Sequence, residues 1–283
     1  MKWLSYLYKG NLNYGILKDE NEIIPVQEVL PNPPATLLDF IKEKPTVLNI
    51  ETAKETIDLK DVVIQIPFTP PNNIMAIGKN YYNHVLEMGS KEDVPEHILV
   101  FTKSANSLIP HNGEIELHQN ITEQLDYEGE LAVIIGEEIR DISESEALSS
   151  IFGFTILNDI TARDLQKKHK QFYLGKSLDA SCPIGPFILE KQTNEEVTFH
   201  IETKVNGEVR QSDTTEKFIF NLAKIIADLS KGHTLFPGDI IATGTPSGVG
   251  KGMTPPTFLK AGDSIEITID KIGTLTNKVR KSY

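Results

Sequence analysis

LDYEGELAVIIG, Leu125 to Gly136, is an apolar run led by two glutamates that stand two residues apart. Its second half, LAVIIG, has the length and continuity of a buried strand. In a strand, side chains at i and i+2 point to one face, roughly 6–7 Å apart along the chain. Glu128 and Glu130 therefore share a face, with Gly129 between them. Two facing carboxylates repel each other; they are tolerated when solvated, when one is protonated, or when a cation lies between them. On this segment alone, a solvated acidic strand end and a cation site are both open.

Outward from that stretch, FTILNDITARDLQ (154–166) repeats the pattern of a strand with a polar end. An apolar run stops at Asn158-Asp159, and Thr161 with Asp164 has the spacing of a capping box that would open a helix. Asp159 then stands where a strand becomes a helix, and Arg163 and Gln166 share a helical face. Asp159 reads either as a turn residue or as a third carboxylate beside the glutamates. Three carboxylates with waters suit Mg²⁺ or Mn²⁺ rather than zinc.

Two further segments carry chemistry. In IGKNYYNHVLEMG (77–89), Asn80 can cap a short helix that Gly89 ends, and His84 and Glu87 lie three apart on one face. A carboxylate beside an imidazole holds its tautomer and raises its basicity, as a general base requires, although a surface pair is the ordinary alternative. The charged SKEDVPEH (90–97) reads as a mobile cover. In QFYLGKSLDASCPIGP (171–186), Lys176 sits among small and apolar residues, where an ammonium needs a carboxylate or an anionic ligand. Cys182 has no adjacent basic partner and reads as packed. ATGTPSGVGKG (242–252) is not a phosphate loop: Thr245 stands where its first glycine should, and Gly252 follows Lys251. Its glycines read as letting backbone N–H groups and the Thr245 hydroxyl approach a ligand, with a structural turn as the alternative.

The remaining pattern is mostly strands. WLSYLY and YGIL flank a turn, NIMAIG and IFGFTIL are short buried strands, and SIEITI alternates as a half-exposed one. VTFHIETKVNGEVRQ is a hairpin turned at Asn206-Gly207. Helices are expected at PPATLLDFIKEK, opened by its prolines, at SESEALSS, capped by Ser143 and Glu146, and along EKFIFNLAKIIADLSKG to Gly232. The proline-rich IPFTPPNN divides a small N-terminal region, 1–70, from a main domain, 71–283. The fold class is α+β, mainly β.

Composition narrows the partners. Of 283 residues, 39% are hydrophobic and 24% charged, with a net charge of −12, which argues against a nucleic-acid binder. A local metal and a few cations can still make one pocket attractive to a small anion. One cysteine excludes an intrachain disulfide and a thiolate zinc cluster. No apolar stretch is long enough to cross a bilayer, the start reads as a strand rather than a signal peptide, and a cytoplasmic location is expected. The sequon Asn120-Ile121-Thr122 is then a chance match.

GKNYYNHVLEMG, LDYEGELAVIIG, NDITARDLQ, GKSLDASCPIGP, VNGEVRQ and GDIIATGTPSGVG, in this order, resemble the fumarylacetoacetate hydrolase family from about Asn72 to the C-terminus. The resemblance implies a mixed β-sandwich roll with peripheral helices and a homodimer. It implies that Glu128, Glu130 and Asp159 hold Mg²⁺ (or Mn²⁺), that His84 and Glu87 form a water-activating dyad within a lid, and that Lys176 is the active-site lysine. Lys79, Gln166 and Thr245 fall on substrate-binding positions, and Arg163 belongs to the same motif; position 79 is often arginine in relatives. The implied substrate is a small anionic 2-oxo acid, reacting through a metal-stabilised enolate. The preferred outcome is oxaloacetate decarboxylation or C–C hydrolysis of a short acylpyruvate. The alternatives are an isomerase, tautomerase or hydratase, such as one acting on carboxymethyl-hydroxymuconate, and a non-catalytic metabolite-sensing or scaffolding protein.

Overall fold

Two stacked sheets build the framework. The computed structural model describes residues 1–45, 48–192 and 197–282. Among these, a 12-stranded sheet runs in the order Ile57–Asp58, Glu22–Pro25, Asn11–Leu17, Lys2–Tyr8, Cys182–Glu190, Ile151–Asn158, Gly129–Ile135, Ile240–Ala242, Ile74–Gly78 and Leu99–Lys103, with two short strands off this path. A 5-stranded sheet runs Glu208–Thr214, His200–Val205, Ser264–Ile269, Gly273–Arg280 and Glu114–Glu116. The fold is α+β and mainly β, a mixed β-sandwich with short peripheral helices.

The strand Gly129–Ile135 shows why its sequence is apolar without a break. Leu131, Val133 and Ile135 pack with Ile201, Ile265 and Ile267 of the second sheet. Ala132 and Ile134 face the opposite way, into a core shared with Trp3, Tyr14 and Phe40. A strand covered on both faces has no polar side to alternate with, and burying a large aliphatic side chain contributes about 1.5–3 kcal/mol. The first strands of the chain extend this same sheet, Trp3 pairing with Ile188, and the Trp3 ring lies 4.3 Å from that of Phe40.

The hairpin forms as its sequence indicates, Asn206 and Gly207 both adopting positive φ (54° and 80°). The Ser143–Glu146 capping box also forms. Four expectations fail on local detail. The helix in PPATLLDFIKEK is capped by Thr36, whose side chain accepts from Asp39 N, and starts at Leu37, past the prolines. EKFIFNLAKIIADLSKG is helical only over Leu222–Ser230, because Phe218 bridges to Tyr81 and the Asn80 amide binds both backbone groups of Phe220. Thr161–Ala162 pairs with Leu125–Asp126 instead of capping, so that helix starts at Arg163, and the Asp164 carboxylate accepts from the Thr122 hydroxyl. Asn80, spent on Phe220 and on the Thr243 carbonyl, does not cap the helix Tyr82–Met88. In the last three cases a hydrogen-bond partner or pairing distant in sequence replaces the local pattern, whereas at Leu37 a nearer cap, Thr36, sets the start.

Candidate metal centre and its pocket

Strand register assembles the carboxylates. Glu130 pairs with Leu157 and Gly129 with Asn158. One step further, Asp159 N donates to the Glu128 carbonyl at 2.8 Å, and Glu128 N donates to the Asn158 side chain at 3.1 Å. Asp159 is thereby held opposite Glu128, and carboxylate oxygens of Glu128, Glu130 and Asp159 lie within 4.8 Å of one another. Their exposures of 5%, 2% and 0% rule out a solvated acidic strand end.

Gly129 makes the placement possible: a Cβ there would come within 2.2 Å of Thr203 Oγ1 from the second sheet. Its N–H donates to Gln211 Oε1 at 3.0 Å, and Gln211 Nε2 in turn donates to Thr245 Oγ1 at 2.7 Å.

Charge is balanced unevenly across the cluster. Lys176 Nζ lies 2.7 Å from Glu128 Oε2 and 2.6 Å from Asp159 Oδ2. Arg163 places Nη1 2.6 Å from Glu128 Oε1 and Nε 2.8 Å from Asp126 Oδ2. Lys103 Nζ lies 2.9 Å from Asp159 Oδ1. Burial alone would raise the Glu128 carboxyl, but Lys176 and Arg163 outweigh it and hold the group far below the usual carboxylate range. Glu130 goes the other way: burial, then the charges of Asp159 and Glu128, push its carboxyl well above that range. Its hydrogen bond from Gly244 N, 2.8 Å long, is not matched by an ion pair among the described residues.

This donor set fits a divalent cation. Glu128, Glu130 and Asp159 supply only oxygen, the preference of Mg²⁺ and Mn²⁺. Among the described residues Glu130 is a buried carboxylate without an ion pair, and Asp159 Oδ1 accepts no hydrogen bond despite its ion pair with Lys103. A buried carboxylate such as Glu130 costs folding energy until a cation takes it up.

A pocket of about 260 Å³ opens beside the cluster, and Lys79, His84, Glu128, Glu130, Arg163, Gln166, Lys176 and Thr245 all line it. Met88, Phe101 and Phe172 supply apolar wall, and Lys167 and Lys251 add positive charge. Asp159 and Glu87 are not in the wall. Glu87 accepts from Gly248 N at 2.9 Å and stands 3.2 Å from His84 Nδ1 through its other oxygen, which leaves Nε2 of the imidazole for proton exchange. Lys176 is nearly inaccessible, and although burial opposes its charge, Asp159 and Glu128 raise its pKa above the ordinary lysine value. Its ammonium is held between these two carboxylates.

Some sequence expectations change in kind. Glycines of ATGTPSGVGKG present N–H groups to carboxylates of the protein itself: Gly244 to Glu130, Gly248 to Glu87, Gly250 to Asp126. Thr245 Oγ1 donates to the Gly129 carbonyl at 2.9 Å, so it braces the strand as well as facing the pocket. Lys79 reaches toward Asp93, 3.4 Å away, in the exposed turn of SKEDVPEH. Sequence reasoning missed Asp126 and Lys103, both fully buried. Asp126 had a signal, standing two before Glu128 as Glu128 stands two before Glu130. Lys103, at the end of the strand LVFTK, had none.

Comparison with known proteins follows the same geometry. The family model for the C-terminal domain of fumarylacetoacetate (FAA) hydrolase matches residues 73–280. The chain is similar to oxaloacetate tautomerase YisK of Bacillus subtilis, 46% identical over 300 residues that cover 99% of this chain and 100% of that one. Among solved structures it is similar to the fumarylacetoacetate hydrolase of the psychrophile Exiguobacterium antarcticum, at 39% identity and a TM-score of 0.89, over 100% of both chains. It is also similar to a 5-carboxymethyl-2-hydroxymuconate delta-isomerase from Mycobacterium smegmatis, at 29% identity and a TM-score of 0.81, over 100% of both chains.

Proposed function

The chain belongs to the fumarylacetoacetate hydrolase family, and from that premise we propose that it is a Mg²⁺- or Mn²⁺-dependent enzyme interconverting the keto and enol forms of oxaloacetate. The observation that carries this reading is the buried trio Glu128, Glu130 and Asp159, with the fixed cation Lys176 beside it, at the edge of a pocket walled by His84. The similarity to an oxaloacetate tautomerase supports the choice of substrate. The pocket suits it too, being smaller than the roughly 300–1,000 Å³ of sites for larger ligands.

A bound divalent ion would supply Lewis acidity toward the 2-oxo group and offset the negative charge of an enolate. The protein residues supply the rest. Arg163 lines the pocket with its guanidinium held by Glu128 and Asp126, a fixed positive charge that favours an anionic substrate. Gln166, Lys79 and Thr245 line the same space and orient the substrate by hydrogen bonding. Lys176 adds positive charge where enolate charge develops. His84, its Nδ1 held by Glu87, takes the C3 proton at Nε2 and returns a proton to oxygen.

The His84–Glu87 pair also supports a second reading, C–C cleavage: decarboxylation of oxaloacetate, or water attack on a short acylpyruvate. The enolate is common to all three outcomes, and what leaves differs. We also infer a homodimer. Tyr82 and Leu86, Val100, and Tyr173 and Leu174 are exposed apolar side chains on the elements that supply His84, Phe101 and Lys176, which a partner copy would cover.

The test is to add oxaloacetate to purified protein with Mg²⁺, with and without EDTA. Enol absorbance reads tautomerisation, and NMR reads pyruvate; acetylpyruvate, assayed in parallel, reads acetate plus pyruvate. Accelerated, EDTA-sensitive keto–enol relaxation without excess pyruvate is expected. Pyruvate above the metal-only background would move the assignment to cleavage. No effect on any substrate, with Mg²⁺ bound, would leave a non-catalytic role.

A further inference from the structure

Lys103 ends the strand Leu99–Lys103, the terminal strand of the large sheet, and its side chain is fully buried. A buried ammonium is costly unless several partners satisfy it. Its partners belong to two separate segments of the site. Nζ donates to the Ile160 carbonyl at 3.2 Å and to the Lys176 carbonyl, and stands 2.9 Å from Asp159 Oδ1 without hydrogen-bonding it. The neighbouring residues extend the same seam: Ser104 N donates to Ser177 Oγ at 3.0 Å. Two residues before Lys103, and so on the same face of the strand, the Phe101 ring lies 5.0 Å from Lys176 Nζ.

A plain counter-ion would spend its hydrogens on the carboxylate. Lys103 instead spends two on backbone carbonyls, one just after Asp159 and one at Lys176. It thus ties the turn carrying a metal-ligand candidate to the short helix carrying the active-site lysine, with its charge beside Asp159 Oδ1. We infer that Lys103 is a positioning residue that holds Asp159 and Lys176 in register with each other; this rests on the reading of Glu128, Glu130 and Asp159 as a metal centre.

The two roles open to Lys103 predict opposite signs. If it only balances charge, removing it strengthens cation binding, because a positive group near the site repels the ion. If it positions Asp159, removing it weakens cation binding, and loss of such an outer partner costs about 10–100-fold in metal affinity.

The experiment is a Mn²⁺ titration, by calorimetry or EPR, of the full-length wild type, Lys103→Met and Lys103→Gln. The Gln variant retains a donor for the carbonyls and covers the case in which the Met variant does not fold, which circular dichroism reports. Mn²⁺ binding at least tenfold weaker in a folded variant is expected, with kcat falling further than KM rises. Binding as tight as wild type, or tighter, in a folded variant overturns the positioning role while the metal centre stands. Absence of Mn²⁺ binding by the wild type overturns the metal centre, and this inference with it.

Discussion

At the scale of single residues, the proposed function separates groups that hold charge from groups that move protons. Lys176 is locked as a cation by Glu128 and Asp159, whereas His84 keeps one ring nitrogen for exchange. His84→Ala should therefore lose turnover by about 10²–10⁴-fold, the usual contribution of a general base. It should still bind oxalate, which resembles a pyruvate enolate and needs no base. Inhibition constants for oxalate check this, and a large loss of oxalate affinity would make His84 a binding residue instead. Cys182 provides a contrast: burial pushes its thiol up to about 12. Its contribution to stability is whole below the ordinary thiol value and is lost as pH rises toward 12. Native protein at pH 8 should resist a thiol reagent that reacts rapidly after unfolding in guanidinium; fast native labelling would show the thiol accessible. The spacing of Glu128 and Glu130 made both glutamates readable as neighbours, and His84 with Glu87 likewise. Asp126 was readable by the same spacing but overlooked, while Lys103 carries no pattern at all.

At the scale of elements, the close approach of the two sheets at Gly129 sets the geometry of both flanking glutamates. Gly129→Ala must push Thr203 or the strand aside. The cost should be about 1–3 kcal/mol, as for overpacking elsewhere, and Mn²⁺ affinity should fall with it because Glu128 and Glu130 move. Ser143→Ala is the matching control: it removes a surface capping box, costs about 1 kcal/mol, and should leave metal binding unchanged. Paired thermal melts and metal titrations of the two variants test the distinction. A Gly129→Ala protein with wild-type metal affinity would show that the strand yields without moving its carboxylates. The helix starts that sequence patterns placed wrongly lie at Asn80, at Thr161 and in the run from Glu216. In each, a partner distant in sequence overrode a pattern that was locally sound.

At the scale of the whole molecule, the buried Glu130 carboxylate, with no ion pair among the described residues, should couple metal binding to folding. Mg²⁺ at about 100 times its dissociation constant should add roughly 2.7 kcal/mol of stability, seen as a rise in melting temperature. Glu130→Gln should remove most of that rise while leaving the metal-free protein at least as stable, since the uncompensated charge is gone. A full Mg²⁺ response in Glu130→Gln would take Glu130 out of the ligand set. The proposed dimer is checked by light scattering at micromolar concentration, where a mass of 31.6 kDa would mean a monomer.

The amino-acid sequence by itself determined what acts over a few residues. It specified the period-two pairing of Glu128 with Glu130, the Asn206-Gly207 turn, the apolar runs that must be buried strands, and the order of motifs that marks the family. Such features are legible because backbone geometry converts short spacings directly into shared faces. Only the tertiary structure decided which faces meet. Asp159 reaches Glu128 through a strand register, Lys103 reaches Asp159 from the terminal strand of the sheet, and Arg163 is split between Asp126 and Glu128. Those contacts join residues 31 to 56 positions apart, and no local spacing encodes them. They follow from the register in which the strands pair, Gly129 with Asn158 and Glu130 with Leu157: a one-residue slip would turn every side chain of the strand to its other face and carry Glu130 away from Asp159.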